Sequence, residues 1–302
     1  MVEGILVEGL IYGILALGVF ISFRVLDFPD MTVEGSFPAG AAAGAGAAIA
    51  LGNSGNGLLA ALAVPGGLFA GFLAGGIAGL VTSAIYHRLR VPPLLAGIVT
   101  MTGFYSLNLR MLGGRPNLPL IAFNPLRAQA LRLGSGVLPP EFSLLIASGL
   151  VCAVLYLLLN LFFHTEIGIA MGALGDNENA VIQAGIAPAS LRTWGIMLAN
   201  ALPGLAGAMA AAYQGFADVN LGQGVIASGL ATVMLGELVI HSQFISIQLA
   251  RVFLGSILFR ALMYAARSWG YLAGITPNDL RLLTAILIVA SVAISRRKRK
   301  AQ

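Results

Sequence analysis

Long apolar segments separated by short polar ones make up most of this chain. Because an apolar helix needs about 20 residues to cross the hydrocarbon core of a bilayer, the pattern predicts a helical bundle with about nine membrane spans, within a range of eight to ten. The second predicted span is short enough to be a half-helix. The spans are placed at residues 4–23, 37–51, 59–86, 92–110, 142–163, 192–213, 225–241, 252–268 and 280–295.

The third predicted span carries four glycines at a strict interval of four residues: Gly67, Gly71, Gly75 and Gly79. This spacing puts them nearly on one helix face, where a neighbouring helix can approach to backbone contact. The glycines therefore predict close helix packing rather than a catalytic feature.

The composition agrees with an all-α integral membrane protein. Of the 302 residues, 58% are hydrophobic and only 10% are charged, whereas a soluble domain is about 25% charged. The net charge of +5 does not indicate nucleic-acid binding, because five basic residues lie together at 296–300. After a final apolar span, such a cluster predicts a cytoplasmic tail in contact with lipid headgroups.

A cytoplasmic C-terminus, counted back through nine spans, puts the N-terminus outside. We expect a single transmembrane domain over residues 1–302. Its predicted parts are a first repeat (1–163), a cytoplasmic segment (164–191), a second repeat (192–295) and the basic tail (296–302). With five spans in the first half, the second half would be inverted in the membrane, an arrangement found in many transporters.

Two stretches, one in each half, read alike: residues 28–33 (FPDMTV) and 216–221 (FADVNL). Each pairs a phenylalanine with an aspartate and then alternates polar and apolar residues. Acidic residues repeated once per half are typical of sites at the middle of a bilayer. The repeat predicts that Asp30, Thr32, Asp218 and Asn220 line a translocation path.

The first stretch belongs to a longer acidic segment, residues 25–38, which also contains Asp27 and Glu34. Pro29 and Pro38 disfavour a continuous helix. Irregular backbone at membrane depth is tolerated where it is buried in protein or lines a water-filled path. The segment is thus either a broken helix beside a translocation path or an ordinary cytoplasmic loop.

Two further ionisable residues, Glu237 and Arg260, lie inside predicted spans. A charged side chain facing lipid is costly, so each should face protein or a cavity. An ion pair between the two would satisfy both, although nothing in the sequence pattern requires it.

Residues 165–190 form the longest hydrophilic segment on the predicted inner side. Asp176 or Asn177 can cap a short helix there, and Gly185 can end it. A capped helix between two spans suits docking to a soluble partner. The alternative is a connector on the lipid surface, which the absence of lysine and arginine from this helix disfavours.

The catalytic and nucleotide-binding motifs that we considered are absent from the sequence. The only lysines are Lys298 and Lys300, so no phosphate-binding loop of the G-x-x-x-x-G-K type can form. The three histidines have no metal-ligand spacing, and no nucleophile–base arrangement is present. We therefore predict no metal, no cofactor and no enzymatic activity. If ATP drives this protein, another chain must bind it.

Four stretches in order resemble one family of bacterial ABC-transporter permeases, which includes the branched-chain amino acid and ribose importers. They are residues 24–35, 92–110, 172–186 and 277–285. In common members the first loop reads more like Asn-Phe-Ala-His-Gly, so the Asp-rich version here argues against branched-chain substrates. It is more similar to a subgroup encoded beside lipoprotein-type binding proteins, some of them linked to tryptophan or tyrosine uptake.

The resemblance implies a permease subunit of the bacterial inner membrane that acts as a dimer, with the homodimer favoured. Its partners would be two ABC ATPase subunits inside and a substrate-binding protein outside, and its cargo a small polar metabolite, best an aromatic amino acid. The ATPase would dock on Gly175, Asp176, Asn177, Glu178, Asn179, Gln183 and Gly185. The expected pathway residues are Asp27, Asp30, Thr32, Glu34, Asp218, Asn220, Glu237 and Arg260. The alternative is a standalone ion-coupled secondary transporter or channel using Asp30, Asp218 or Glu237.

Overall fold

The computed structural model describes residues 2–120 and 140–270, together with residues 282, 285, 286 and 289. Within these residues the chain forms eleven α-helices and two three-residue strands. The helices are α1 (Val2–Phe20), α2 (Val33–Gly52), α3 (Gly57–Ala61), α4 (Ala63–Leu89), α5 (Pro93–Met111), α6 (Pro140–Phe163), α7 (Glu166–Asp176), α8 (Glu178–Gln183), α9 (Pro188–Gln214), α10 (Val225–Val239) and α11 (Ile245–Gly270). The strands are β1 (Asn117–Pro119) and β2 (Phe216–Asp218).

The all-α polytopic fold predicted from the apolar pattern is confirmed. Each of the first eight predicted spans overlaps helical residues, although the helix at the eighth begins seven residues earlier than predicted, at Ile245, and the third predicted span covers both α3 and α4. Six helical stretches in the described part of the chain are long and apolar enough to cross a membrane. They are Val2–Val25, Ala63–Leu89, Phe142–Phe163, Pro188–Gln214, Val219–Val239 and Ile245–Ser268. The ninth predicted span, 280–295, and the tail, 296–302, lie outside the continuously described residues. The count of nine stays a prediction.

Helices α2, α4 and α9 form a tightly packed group whose contacts depend on glycine. A Cβ atom placed on Gly79 would lie 2.6 Å from the carbonyl oxygen of Ile196, and one on Gly75 would overlap that of Asn200. Gly71 lies against the backbone of Gly204 in the same way. The prediction from the glycine spacing in α4 is thus confirmed, and α9 is the main partner of that face.

A second group joins α1 to α10 and α11, and α1 also packs on α6 and α9. Glycines again set the spacing: a Cβ on Gly13 would lie 2.6 Å from the ring of Phe253, and one on Gly9 would lie 2.8 Å from Ile257. Buried large side chains of α1, including Ile11, Ile14 and Leu15, belong to the main hydrophobic core. Helix α1 therefore connects the two groups.

The predicted break after the first span is present but shorter than expected. Helix α1 ends in a π-helical turn, Ile21–Val25, and α2 begins at Val33 with Pro38 inside it. Because a proline has no N–H to donate to the residue four positions earlier, the carbonyl of Glu34 loses its usual helical partner. Gly222 packs directly against that carbonyl oxygen. A side chain at position 222 would not fit there.

Strands β1 and β2 pair antiparallel, with Asn117 opposite Asp218. Strand β2 follows α9 directly, and a 3₁₀ turn, Val219–Gly222, leads from β2 to α10. Ala217 of β2 packs with Ala41, Ala42 and Ala45 in the middle of α2, and the turn that follows brings Gly222 to the first turn of that helix. The small sheet thus fixes the second Phe-x-Asp stretch, residues 216–221, along α2.

Candidate functional site

The loop between α1 and α2 folds back onto the end of α1. The hydroxyl of Ser22 donates to the carbonyl of Phe28 (2.6 Å), and the amide of Phe28 donates to the carbonyl of Ser22 (2.9 Å). Asp27, at the outer bend, is exposed and has φ +48°, in the left-handed region. Further along the loop, Phe28 is buried and Asp30, three residues after Asp27, is fully buried. The two predicted carboxylates therefore have opposite environments.

Asp30 is held by neutral donors from two helices. Its Oδ1 accepts from the backbone N–H of Thr32 (2.8 Å), and its Oδ2 accepts from the side-chain amide of Asn200 in α9 (2.6 Å). The hydroxyl of Ser36 donates to the other end of the Asn200 amide (3.0 Å), and the hydroxyls of Thr32 and Thr82 lie 2.6 Å apart. Burial raises the pKa of the Asp30 carboxyl, and the bonds from Thr32 and Asn200 oppose that rise.

The sequence pattern singled out Asp30 and Thr32 but missed Asn200, Thr82 and Ser36, which complete this network. The available signal was a single asparagine within an otherwise apolar span, because polar side chains in such spans usually bond across helices.

Glu34 has different surroundings from Asp30, although it lies only four residues further on. It is half-buried and its Oε1 accepts from the backbone N–H of Gly224 (3.0 Å). It also lines an open groove of about 320 Å³ between α2, α5 and the turn after β2.

The second Phe-x-Asp stretch repeats one detail of the first. The Oδ1 of Asp218 accepts from the backbone N–H of Asn220 (2.7 Å), as Asp30 does from Thr32. Asp218 is partly exposed and its other oxygen accepts from Asn117 (3.2 Å). The two aspartates therefore share a local turn but have different tertiary partners, and within the described part of the chain no hydrogen bond joins them.

The idea that Glu237 and Arg260 pair with each other is wrong. Glu237 forms ion pairs with Arg24, at the end of α1, and with Arg251 in α11 (3.2 Å). The guanidinium of Arg260 lies 3.5 Å from the ring centre of Tyr12 and 3.7 Å from the carboxylate of Glu8. Both residues face protein, as the cost of exposing charge to lipid requires.

The hydrophilic segment after α6 contains the expected capped helix. The side chain of Asn177 accepts from the amides of Asn179 (3.1 Å) and Ala180 (3.3 Å) at the start of α8. Gly185 follows α8 with φ +76°. Most of the segment is exposed and Val181 anchors it to the core. The exposed residues form a continuous surface at 176–180 and 182–186.

A chain of side-chain contacts joins this surface to the Asp30 loop. Glu178 pairs with Arg192 of α9 (3.0 Å), which also donates to the hydroxyl of Tyr86 (3.4 Å) and lies over its ring. The Tyr86 ring meets that of Phe28 edge-on at 5.2 Å. Gly175 packs directly against the carbonyl oxygen of Val25. Tyr86 and Arg192 were not predicted as functional, because only the folded chain brings them between the two segments.

Comparison with known proteins gives a consistent result. The family model described as "branched-chain amino acid transport system / permease component" matches residues 1–292. A "tyrosine transport system permease protein" of Clostridioides difficile (strain R20291) is 34% identical over 290 residues, covering 96% of this chain and 89% of the relative. An uncharacterized protein of Rickettsia prowazekii (strain Madrid E) is 28% identical over 288 residues, 94% of each chain. No solved structure matches.

Proposed function

Because this chain belongs to the family of branched-chain amino acid transport system permease components, we propose that it is the membrane-spanning subunit of a bacterial ABC importer for an amino acid. The relative named as a tyrosine transport permease supports an aromatic amino acid as the cargo. The chain would act as a homodimer in the inner membrane, with its C-terminus in the cytoplasm. Two ATPase subunits would bind inside and a substrate-binding protein outside.

One observation carries this proposal further than the family alone: the exposed surface at 176–180 and 182–186 is connected to a buried acidic loop. The connection runs through Glu178, Arg192, Tyr86 and Phe28. A partner that moves this surface would pull on the loop that holds Asp30. That is the arrangement expected of a docking site for an ATPase, whose ATP cycle biases an equilibrium between two states of the permease.

The pathway residues keep the roles predicted from the sequence, as proposals. Asp30 is sealed from solvent, so its role would be to line the path in another state of the transport cycle. Glu34, Asp218 and Asn220 border open space in the present state. Affinity would lie mainly in the external binding protein, and these side chains would contact the cargo only weakly as it passes.

The docking assignment is tested by replacing Asp176 and Glu178 with alanine and co-purifying the permease with the ATPase encoded beside it. We expect loss of the complex and of ATP-driven uptake in proteoliposomes. Glu166→Ala is the matched control, because Glu166 is also an exposed carboxylate but lies ten residues before the surface. Full assembly and uptake by the double variant would refute the docking site.

The same preparation separates an importer from an ion-coupled secondary transporter. Uptake should require ATP, the ATPase and the binding protein together. Uptake by the permease alone, driven by a proton gradient, would instead support the secondary transporter and overturn the proposal.

A further inference from the structure

The groove beside Glu34 has one charged side chain in its lining, and that side chain is acidic. Its walls are the first turns of α2, one face of α5 and the turn Val219–Gln223. The lining residues are Glu34, Gly35, Pro38, Met101, Thr102, Tyr105, Ser106, Asn108, Val219 and Gln223. The lining contains one carboxylate and no lysine, arginine or histidine, so its formal charge is −1 when Glu34 is ionised.

Asn108 places a buried acceptor beside this groove, without a partner in the part of the chain that the structure describes. Its side chain is fully buried and lines the groove, and its Nδ2 donates to the carbonyl of Gly35 (3.2 Å). Its Oδ1 is buried and has no hydrogen-bond partner among the described residues. An unsatisfied buried acceptor costs about 1–3 kcal/mol, and such groups in native structures call for an explanation. Because this oxygen is not exposed to the groove in the present state, a donor on a ligand would reach and satisfy it only after a small movement of the groove wall.

Glu34 can take part in binding the same ligand. One of its oxygens accepts from Gly224, while an ionised carboxylate has about four acceptor positions in all. A primary ammonium group has three donors, which fits a carboxylate and an amide oxygen together.

The rest of the groove suits an apolar body attached to that ammonium. Met101, Val219 and the exposed ring of Tyr105 supply apolar and aromatic surface. An aromatic face also attracts cations. The hydroxyl of Thr102 already donates to the carbonyl of Ile98 (2.8 Å), which leaves its oxygen free to accept.

From these contacts we propose that the groove is a binding station for the transported amino acid. Glu34 and the Oδ1 of Asn108 receive its ammonium group, and Tyr105 and Met101 contact its side chain. This inference rests on the proposed function, since it names the site through which that transport passes.

The sequence offers a direct test, because Cys152 is the only cysteine in the chain and it is buried in α6. In a Cys152→Ser background, a single cysteine is introduced by Ser106→Cys or, separately, by Thr102→Cys. A charged methanethiosulfonate reagent, which modifies only thiols that water reaches, reports access to the groove. Leu107→Cys is the matched control, because Leu107 is exposed on α5 but does not line the groove.

We expect both groove thiols to react and to be protected by ligand, whereas any reaction of the exposed Leu107→Cys thiol should proceed at the same rate with and without ligand. L-Tyrosine at ten times its dissociation constant should slow the groove reactions about tenfold, since the unoccupied fraction falls to about one-tenth. Tyramine, which keeps the ammonium, should protect as well. 3-(4-Hydroxyphenyl)propionate, which lacks the ammonium, should not.

Glu34→Gln tests the charge, because glutamine keeps an acceptor for Gly224 but removes the negative charge. It should abolish protection by tyramine. ATP-driven uptake by the Cys152→Ser parent, measured in the same proteoliposomes, distinguishes a failure of the groove proposal from a failure of the proposed function. If the parent transports but the ligands do not protect the groove thiols, or if neither groove thiol reacts, the groove proposal is wrong and the proposed function stands. Absence of ATP-driven uptake in the parent overturns the proposed function.

Discussion

Gly75→Ala tests whether α4 and α9 are held together by backbone contact. The added methyl would overlap the carbonyl oxygen of Asn200 and lie 2.8 Å from the Cα of Gly204. Both obstacles are backbone atoms, so the helices must separate by several tenths of an ångström. Forcing extra volume into a packed core costs about 1–3 kcal/mol. Because Asn200 also holds Asp30, the shift should reach the buried network.

Gly76→Ala is the matched control on the same helix. Its methyl would meet Ala201 and Met197 at 3.6 Å, an ordinary contact distance, and alanine favours a helix over glycine by about 0.5–1 kcal/mol. We expect Gly75→Ala to unfold several degrees below the parent, at about 2–4 °C per kcal/mol, and Gly76→Ala to unfold at or above it. Thermal unfolding of the purified chain, followed by size-exclusion chromatography, measures this difference. Equal unfolding temperatures for the two variants would refute the packing argument.

Three further predictions concern the polar contacts. Asp30→Asn places an amide N–H against the donors that hold Asp30 and should lower the free energy of unfolding by about 1–3 kcal/mol. Adding Asn200→Asp exchanges the two groups and should recover part of that loss, as measured in a double-mutant cycle of unfolding free energies. Glu237→Gln removes the charge that pairs with Arg24 and Arg251 and should lower the free energy of unfolding by about 1–3 kcal/mol. The loss is smaller than for a fully buried pair because Arg24 is half-exposed. An unchanged unfolding curve would contradict this. Arg192→Met should leave the ATPase bound through Glu178 and its neighbours but reduce uptake per ATP hydrolysed, by up to about fivefold for a contact worth about 1 kcal/mol; an unchanged ratio would remove Arg192 from the connection.

The sequence predicted features that depend on local spacing. The helices over the first eight apolar spans, the glycine face of α4, and the Asn177 cap and Gly185 stop of α8 all follow from residues within one helix or turn, and each is present. Partners far apart in the chain were not predictable, because tertiary packing decides them. Asp30 and Asn200 are 170 positions apart.

The acidic residues predicted to line one pathway differ in their ion-pair and hydrogen-bond partners. Glu237 has two arginine partners, and breaking such pairs leaves uncompensated charge in a semi-buried place. Asp30 has neutral donors only, and its release toward water would regain hydration that burial removed. The contact chain from Glu178 ends at Phe28, two residues before Asp30. Of these two carboxylates, Asp30 therefore costs less free energy to expose to water. It also lies next to Phe28, where a movement of the partner would arrive. On this argument we propose that Asp30 belongs to a moving gate, and that Glu237, which was predicted to line the path, belongs instead to the fixed frame around it.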